Sequence, residues 1–196
     1  MHLAHHDLYE KVGILHCDIS INNLMVNPSE PSMGILIDLN MAAHDKDPDS
    51  GIKLELTPLP RGTIPFQAAE LCYHDPLPHT LYRHDLESFF FVLIWMVLYC
   101  VNEPIDLHFG SWSTGAWSTI RTYKEGFLLS PVTTRLPLDL PLRGPWIEPL
   151  WKVIGNGYKA ESWSSAYAGP GEIFDEETLG GHISYKVYMD ILNRNT

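Results

Sequence analysis

The first residues of this chain that could do chemistry are the polar ones of LHCDISINNLM, residues 15–25. His16, Asp18 and Asn23 fall within eight consecutive positions of a largely apolar run. Polar side chains at this spacing either satisfy one another in a turn or face a ligand. A further acidic candidate, Asp38, ends the run GILID. The elements that carry these residues decide whether they meet.

Two short β-prone runs position the candidates. Residues 24–26 and 34–38 are joined by NPSEPSM, a proline-interrupted connection typical of a hairpin. Pairing of the two runs brings their ends to one edge, so Asn23 and Asp38 are predicted to face one cavity with Asp18 beside them. Carboxylate and amide oxygens suit Mg²⁺ when phosphates complete its shell. An aspartate that metal does not fully occupy can accept a proton from an attacking hydroxyl.

The same residues also have simpler interpretations. Taken in isolation, Asp18 and Asn23 could be turn or capping residues. His16 is interpreted as a buried histidine that holds the loop. Cys17 is interpreted as a buried, unreactive thiol, because adjacent side chains rarely point at each other.

Composition and charge limit the classes of function. The chain has 196 residues, of which 45% are hydrophobic and 19% charged, as in a globular protein of one domain. Its formal net charge of -11 argues against nucleic acid as a partner, because there is no basic surplus to displace counterions. An anionic substrate would therefore need local help, most simply from a metal ion. Three separated cysteines without a CxxC pair, and no apolar leader after Met1, favour an intracellular protein of unknown compartment.

The longest apolar run, residues 89–101, is predicted to be the central buried helix. It is shorter than the roughly 20 residues that cross a bilayer, so no membrane partner is expected. Arg83, Asp85 and Glu87 stand directly before the run.

The remaining segments complete a single predicted domain over residues 1–196. A first helix is predicted over residues 3–14, where four apolar residues recur at near-helical spacing: Leu3, Leu8, Val12 and Leu15. His5 and His6, with His2, are expected on its solvated face. Residues 39–59 are predicted to be a polar surface segment, and YKVYMDIL a last helix.

The chain resembles the protein kinases at several motifs in the expected order. The pattern His16-x-Asp18-x-x-x-x-Asn23 resembles the kinase catalytic loop, Asp38 the aspartate of the metal-binding Asp-Phe-Gly triplet, and GTIPFQAAE the segment that ends in Ala-Pro-Glu. At the level of individual residues, four segments are similar to the fungal-type protein kinases: HCDISINNLM, GILIDLNMA, RGTIPFQAAEL and RHDLESFFFVLIW. The motif GGHISYKVYMDIL is similar to the last helix of that group.

The resemblance implies a mainly α fold, the large lobe of a protein kinase, with a short β hairpin that carries the catalytic and metal-binding loops. It implies transfer of the γ-phosphoryl group of ATP to a serine or threonine hydroxyl of a protein, with Mg²⁺ as the metal. The implied residues are Asp18 as catalytic base, Asn23 and Asp38 as Mg²⁺ ligands, and Ser20 and Met25 as further cofactor contacts, Met25 under the adenine ring.

The resemblance also implies structural roles for three more residues. Asp85 would anchor the buried helix to the backbone of the catalytic loop near His16. Glu70 would close the segment GTIPFQAAE, and Thr63 would line the side of the substrate hydroxyl. A buried carboxylate must find donors, so Asp85 is predicted to accept hydrogen bonds from backbone N–H groups.

The sequence departs from the usual kinase pattern at four positions. Cys17 replaces an arginine, Ser20 stands where many kinases have a lysine, Asn40 replaces a glycine and Ala69 replaces a proline. Because the catalytic loop begins at residue 16, the chain is expected to be a large lobe without the small lobe. Such a chain is expected to transfer phosphate slowly or not at all. The face that a small lobe would cover is expected to be open to a partner.

Two alternatives to a protein kinase stay open. The first is a non-catalytic, kinase-like interaction module. The second is a small-molecule phosphotransferase of the wider superfamily, which would not be expected to carry GTIPFQAAE. The sequence does not indicate which protein would be the substrate.

Overall fold

The computed structural model describes residues 4–44, 62–72, 79–104, 109–131, 136–169 and 171–194. Over these residues the protein is mainly helical with a few short strands, which confirms the prediction of a mainly α fold. Most of the predicted surface segment at residues 39–59, and His2, lie outside the described residues.

The first helix, α1, spans Ala4–Val12 and ends at Gly13, whose φ of 72° suits glycine. The predicted helix is confirmed, and its buried residues are mainly polar or aromatic. Val12 is 51% exposed, whereas His5 and Tyr9 are buried. The expectation of a solvated His5 fails because a buried carboxylate on another helix accepts a hydrogen bond from its ring.

The predicted hairpin is confirmed with a tighter turn. Strand β2 (Leu24–Asn27) pairs antiparallel with β3 (Glu30–Leu36), so most of the predicted connection belongs to β3. Since β3 ends at Leu36, Asp38 lies just beyond the strand, with a left-handed φ of 64°.

A second, shorter strand pair lies beside the hairpin. Strand β1 (Ile14–Leu15) follows α1 and pairs antiparallel with β4 (Ala43–His44), which follows the hairpin. The pair therefore joins the chain before residues 16–23 to the chain after Asp38. Both candidate loops are fixed at their outer ends in this way.

The second helix, α2, spans Tyr82–Cys100 and runs through the core. It starts well before the predicted residue 89, because Arg83, Asp85 and Glu87 lie inside its first two turns, where all three are buried. Burial of three charged residues in one helix start requires partners from other elements. Among the described residues, no helix is both long enough and apolar enough to cross a bilayer.

Three further helices complete the described body. These are α3 (Trp117–Leu129), α4 (Glu148–Tyr167) and α5 (Tyr185–Asn193). The predicted last helix is confirmed by α5, whereas α3 and α4 were not predicted. The core around α2 is aromatic, and its edge-to-face and tilted ring pairs include Phe90, Phe91, Trp112, Phe127 and Trp151.

Helices α3 and α4 approach each other closely at a glycine. The Trp151 indole donates to the Leu128 carbonyl over 2.8 Å, which satisfies a carbonyl in the last turn of α3. A Cβ atom added at Gly155 would lie 2.7 Å from the same oxygen. Gly155 therefore lowers the helix propensity of α4, yet it permits this contact.

We expect Gly155→Ala to destabilise the protein by about 1 to 3 kcal/mol, since the methyl group would overpack against backbone. The matched control is Gly126→Ala in α3, where an added Cβ atom meets nothing within 4 Å. This control should stabilise by about 0.5 to 1 kcal/mol through helix propensity alone. Urea unfolding of both variants measures the difference, and equal effects at the two glycines would contradict the packing argument.

Candidate active site

The carboxylate of Asp18 is held at both oxygens by neighbouring elements. Asn23 Nδ2 donates to Asp18 Oδ2 over 3.0 Å and to the Asp18 carbonyl over 2.8 Å. From the other side, Thr63 donates to Asp18 Oδ1 through its backbone N–H at 2.7 Å and its hydroxyl at 2.8 Å. These contacts bring Asp18 and Asn23 together, as predicted, and add Thr63, whose contact with Asp18 was not predicted.

The residue before Asp38 ties the metal-binding candidate to this loop. Ile37 N donates to the Asn23 carbonyl over 3.0 Å, and the Ile37 carbonyl accepts from His16 Nε2 at 3.0 Å. His16 Nδ1 accepts from Asp18 N at 3.3 Å, so both ring nitrogens are used. The interpretation of His16 as a buried histidine that holds the loop is therefore confirmed.

Asp38 itself is exposed and turns back on its own loop. Its Oδ1 accepts from Asn40 N at 3.2 Å, an Asx-type turn that suits its left-handed backbone. Among the described residues, no donor bonds the second carboxylate oxygen of Asp38. Asp38 thus reaches the Asp18 loop through the backbone of Ile37 rather than by a direct side-chain contact.

Asp85 fixes the backbone at the start of the loop. Its carboxylate accepts from His16 N at 2.8 Å and from Cys17 N at 3.1 Å, which confirms the predicted anchor. A third donor, His5 Nε2, lies 2.7 Å from Asp85 Oδ2. Because Cys17 has a left-handed φ of 62°, the bond to its N–H stabilises a conformation that a non-glycine residue adopts only with strain.

Gly62 brings the segment of residues 62–72 onto the loop. Its φ is 102°, and an added Cβ atom would lie 2.7 Å from the Cys17 carbonyl. A side chain at this position would therefore push Thr63 away from Asp18. The backbone conformation and the close contact with Cys17 therefore require a glycine at residue 62, the first residue of GTIPFQAAE.

Glu70 closes the segment against the start of α2. It accepts hydrogen bonds from the Arg83 guanidinium and from His84 Nε2, the latter at 3.0 Å. Burial by itself would raise the pKa of Glu70, but the hydrogen bond from His84 and the charge of Arg83 outweigh burial and lower the pKa to about 2. The predicted structural role of Glu70 thus has two named partners.

This lowered pKa predicts a loss of stability in acid. A carboxyl whose pKa falls from 4.5 when unfolded to about 2 when folded contributes its stability above pH 4.5 and loses it as the pH falls towards 2. We expect Glu70→Gln to cost about 1 to 3 kcal/mol at pH 6, and the difference from the parent protein to shrink below pH 4.5. Urea unfolding at several pH values measures this convergence. A constant difference would contradict it. Glu148→Gln is the control, because Glu148 is only half-buried and pairs with an exposed lysine, Lys152.

Two predicted cofactor contacts differ in position. Met25 is 52% exposed on β2 opposite the exposed Ile35 of β3, and further exposed apolar residues nearby in the chain are Val26, Ile37 and Leu39. Ser20, in contrast, is 1% exposed, and its hydroxyl has no hydrogen-bond partner in the described part of the chain. Burial turns Ser20 away from the exposed edge, so its position does not favour a nucleotide contact.

The oxygen atoms at this edge fit a divalent metal that is shared with phosphate. Within the described residues, both hydrogen bonds of the Asn23 side chain use its nitrogen, which leaves its amide oxygen for a ligand. Asp38 adds an exposed carboxylate. The described residues contain no group of three or more His, Cys, Asp or Glu side chains suited to metal. The protein would thus supply few ligands, as is usual for Mg²⁺ bound with a nucleotide.

Sequence reasoning missed three buried residues that support the site. His5 holds Asp85, while Glu87 and Lys124 contact the backbone of the 62–72 segment. Each stands among other polar residues of its helix. Nothing in the sequence distinguishes such a residue from one that faces solvent.

Comparison with known proteins adds one finding to this geometry. Residues 3–97 match the family model described as fungal protein kinase. The matched residues include α1, the loop of residues 16–23, the hairpin, the 62–72 segment and most of α2, and so every contact described above for Asp18 and Asp85. No curated protein matches the chain at a significant level.

Proposed function

We propose, on the premise of the match of residues 3–97 to the fungal protein kinase family, that the chain carries a phosphotransferase site of the protein-kinase type. The proposed reaction moves the γ-phosphoryl group of ATP to a serine or threonine hydroxyl of a protein. The helical body would be the large lobe, and the β2–β3 hairpin would carry the catalytic and metal-binding loops. The observation that carries the proposal is the two-sided hold on the Asp18 carboxylate.

Asp18 would act as the base. Asp18 Oδ1 already accepts two hydrogen bonds from Thr63, and these bonds use both lone pairs of Oδ1. Oδ2 accepts one bond, from Asn23, and keeps a second lone pair for an incoming hydroxyl. The substrate hydroxyl would therefore give its proton to Asp18 Oδ2 as its oxygen attacks phosphorus.

Thr63 and Asn23 contribute by fixing this geometry. Phosphoryl transfer depends mainly on positioning and charge stabilisation, so a base held by two elements needs little reorganisation before it reacts. Thr63 also places the 62–72 segment beside the base, on the side from which a hydroxyl would enter.

ATP and a divalent metal follow in general terms from the family, and the finer assignment is part of the proposal. Asn23 and Asp38 would hold Mg²⁺, and Met25 would lie under the adenine ring. When bound, the ion would neutralise charge on the phosphate oxygens. A chain with a net charge of -11 gains from such a counter-ion, because its own charge repels a nucleotide polyphosphate.

Phosphate transfer from γ-labelled ATP to a mixture of serine and threonine peptides tests the proposal. Transfer that requires Mg²⁺ and disappears in Asp18→Asn supports it. Transfer that survives in Asp18→Asn contradicts it, as does a peptide mixture that stays unlabelled while free small-molecule alcohols are labelled.

A non-catalytic interaction module is the second candidate. The exposed apolar surface of the hairpin favours it, because contiguous exposed apolar side chains often mark a site of contact. Partner binding that is lost on Met25→Ser and Ile35→Ser, in a chain that neither binds Mg-ATP nor transfers phosphate, would favour this candidate over the first.

A further inference from the structure

Buried ionisable side chains of α2 and α3 hold the 62–72 segment, and the proposed reaction does not use them. Lys124 of α3 is fully buried, and its ammonium group donates to the carbonyls of Ile64, at 2.7 Å, and Gln67. Glu87 of α2 is also fully buried and accepts from Ala69 N at 2.8 Å. Its other oxygen accepts from the Tyr158 hydroxyl of α4 at 2.9 Å.

These bonds act on the short helical turn that directly follows Thr63. In the turn, Ile64–Phe66, the Ile64 carbonyl accepts from Gln67 N at 3.2 Å, and Lys124 adds a second donor to the same oxygen. Lys124 meets two carbonyls that bracket the turn, so one side chain fixes both its start and its end. Glu87 then fixes the backbone two residues further on, at Ala69.

Burial of a lysine has a large cost that the surroundings must offset. An ammonium group loses its water on burial, and only close acceptors compensate for that loss. Lys124 gains two carbonyls and lies over two aromatic rings, with Nζ 5.1 Å from the centre of Phe91 and 5.7 Å from that of Trp112. Burial nevertheless lowers the pKa of Lys124 to about 8, although Cys72 and Glu87 oppose the shift. An apolar side chain would fill this position without that cost, but it would donate to neither carbonyl.

We propose that Lys124, assisted by Glu87, is a positioning residue that sets the 62–72 segment so that Thr63 meets Asp18. Lys124 lies outside the residues that match the family model, so the helix α3 would be part of the site through this contact. The inference rests on the proposed function for its catalytic meaning, whereas its structural part can be measured without any activity.

Amide hydrogen exchange in the 62–72 segment is the direct test, with Lys124→Met as the variant. The Thr63 N–H is bonded to Asp18 and reports whether the two residues stay together. We expect exchange at Thr63 to accelerate about tenfold or more in Lys124→Met, while amides in the middle of α2 change much less. Lys152→Met, which removes an exposed lysine of α4, should leave Thr63 unchanged.

A second variant keeps the test decisive if Lys124→Met does not fold. Lys124→Gln can still donate to one of the two carbonyls and should show a smaller acceleration at the same amide. Unchanged exchange at Thr63, equal acceleration throughout α2, or failure of both variants to fold would assign Lys124 to general stability and overturn the proposal.

Kinetics separate this proposal from the proposed function. In an active chain, Lys124→Met should lower the rate of transfer and leave the KM for ATP unchanged, because Lys124 touches the substrate-side segment and not the predicted nucleotide edge. Accelerated exchange in a chain that transfers no phosphate would contradict the proposed function and leave the positioning role intact. Normal phosphate transfer by Lys124→Met, with unchanged exchange at Thr63, would support the proposed function and contradict the positioning role.

Discussion

Replacing Asp18 with asparagine should lower the rate of phosphate transfer by about 10² to 10⁴, the range by which a positioned general base accelerates a reaction. The amide cannot take a proton from the substrate hydroxyl. It also turns a donor towards Asn23 Nδ2, where the carboxylate now accepts. A single-turnover assay with γ-labelled ATP measures the chemical step apart from product release.

The control for this variant is Asp190→Asn. Asp190 is exposed on α5, so this change removes the same charge from the chain without touching the loop. An equal loss of rate in both variants would point to overall charge as the cause. An unaltered rate in Asp18→Asn would exclude Asp18 as the base.

Asp85→Ala should be the most destabilising of the substitutions discussed here, by about 2 to 4 kcal/mol. The change leaves three buried donors without their acceptor, on His5, His16 and Cys17. It also releases the strained backbone of Cys17. Urea unfolding measures the loss, and the loop should become more accessible to proteases before the helices unfold.

The matched control is Asp190→Ala, a carboxylate removed from a solvated helix face. Exposed substitutions of this kind usually change stability by no more than about 0.5 kcal/mol. A free energy of unfolding that is the same for Asp85→Ala and Asp190→Ala would show that the buried hydrogen bonds of Asp85 contribute nothing net.

The local parts of the site could be predicted from the sequence. Asp18 and Asn23 are five residues apart in one loop, and the hairpin that follows is marked by its β-prone runs, so their proximity is a short-range property. The anchor at Asp85 was predicted from the resemblance and from the need of a buried carboxylate for donors. Both predictions were possible because few other arrangements of these residues satisfy the local spacing or the need for donors.

The long-range supports could not be predicted, because one sequence does not show which distant residues meet. His5 was expected to face water, yet an acceptor eighty positions away on α2 gives it a buried partner. Lys124 and Glu87 are ordinary charged residues until helix packing brings them under the 62–72 segment. Helix α4 was missed because Gly155 and Gly157 lower its helix propensity, although close packing requires glycine at Gly155.

The most direct test of the proposed site is to locate a bound metal. Mn²⁺ can replace Mg²⁺ beside a non-hydrolysable ATP analogue, and it broadens the NMR signals of nearby amides. We predict that broadening is strongest at Asn23 and Asp38, requires the nucleotide analogue, and is lost in Asp38→Ala. Broadening that is absent, or that centres on the exposed acidic residues Asp175 and Glu176, would contradict the assignment of a metal-nucleotide site to this loop.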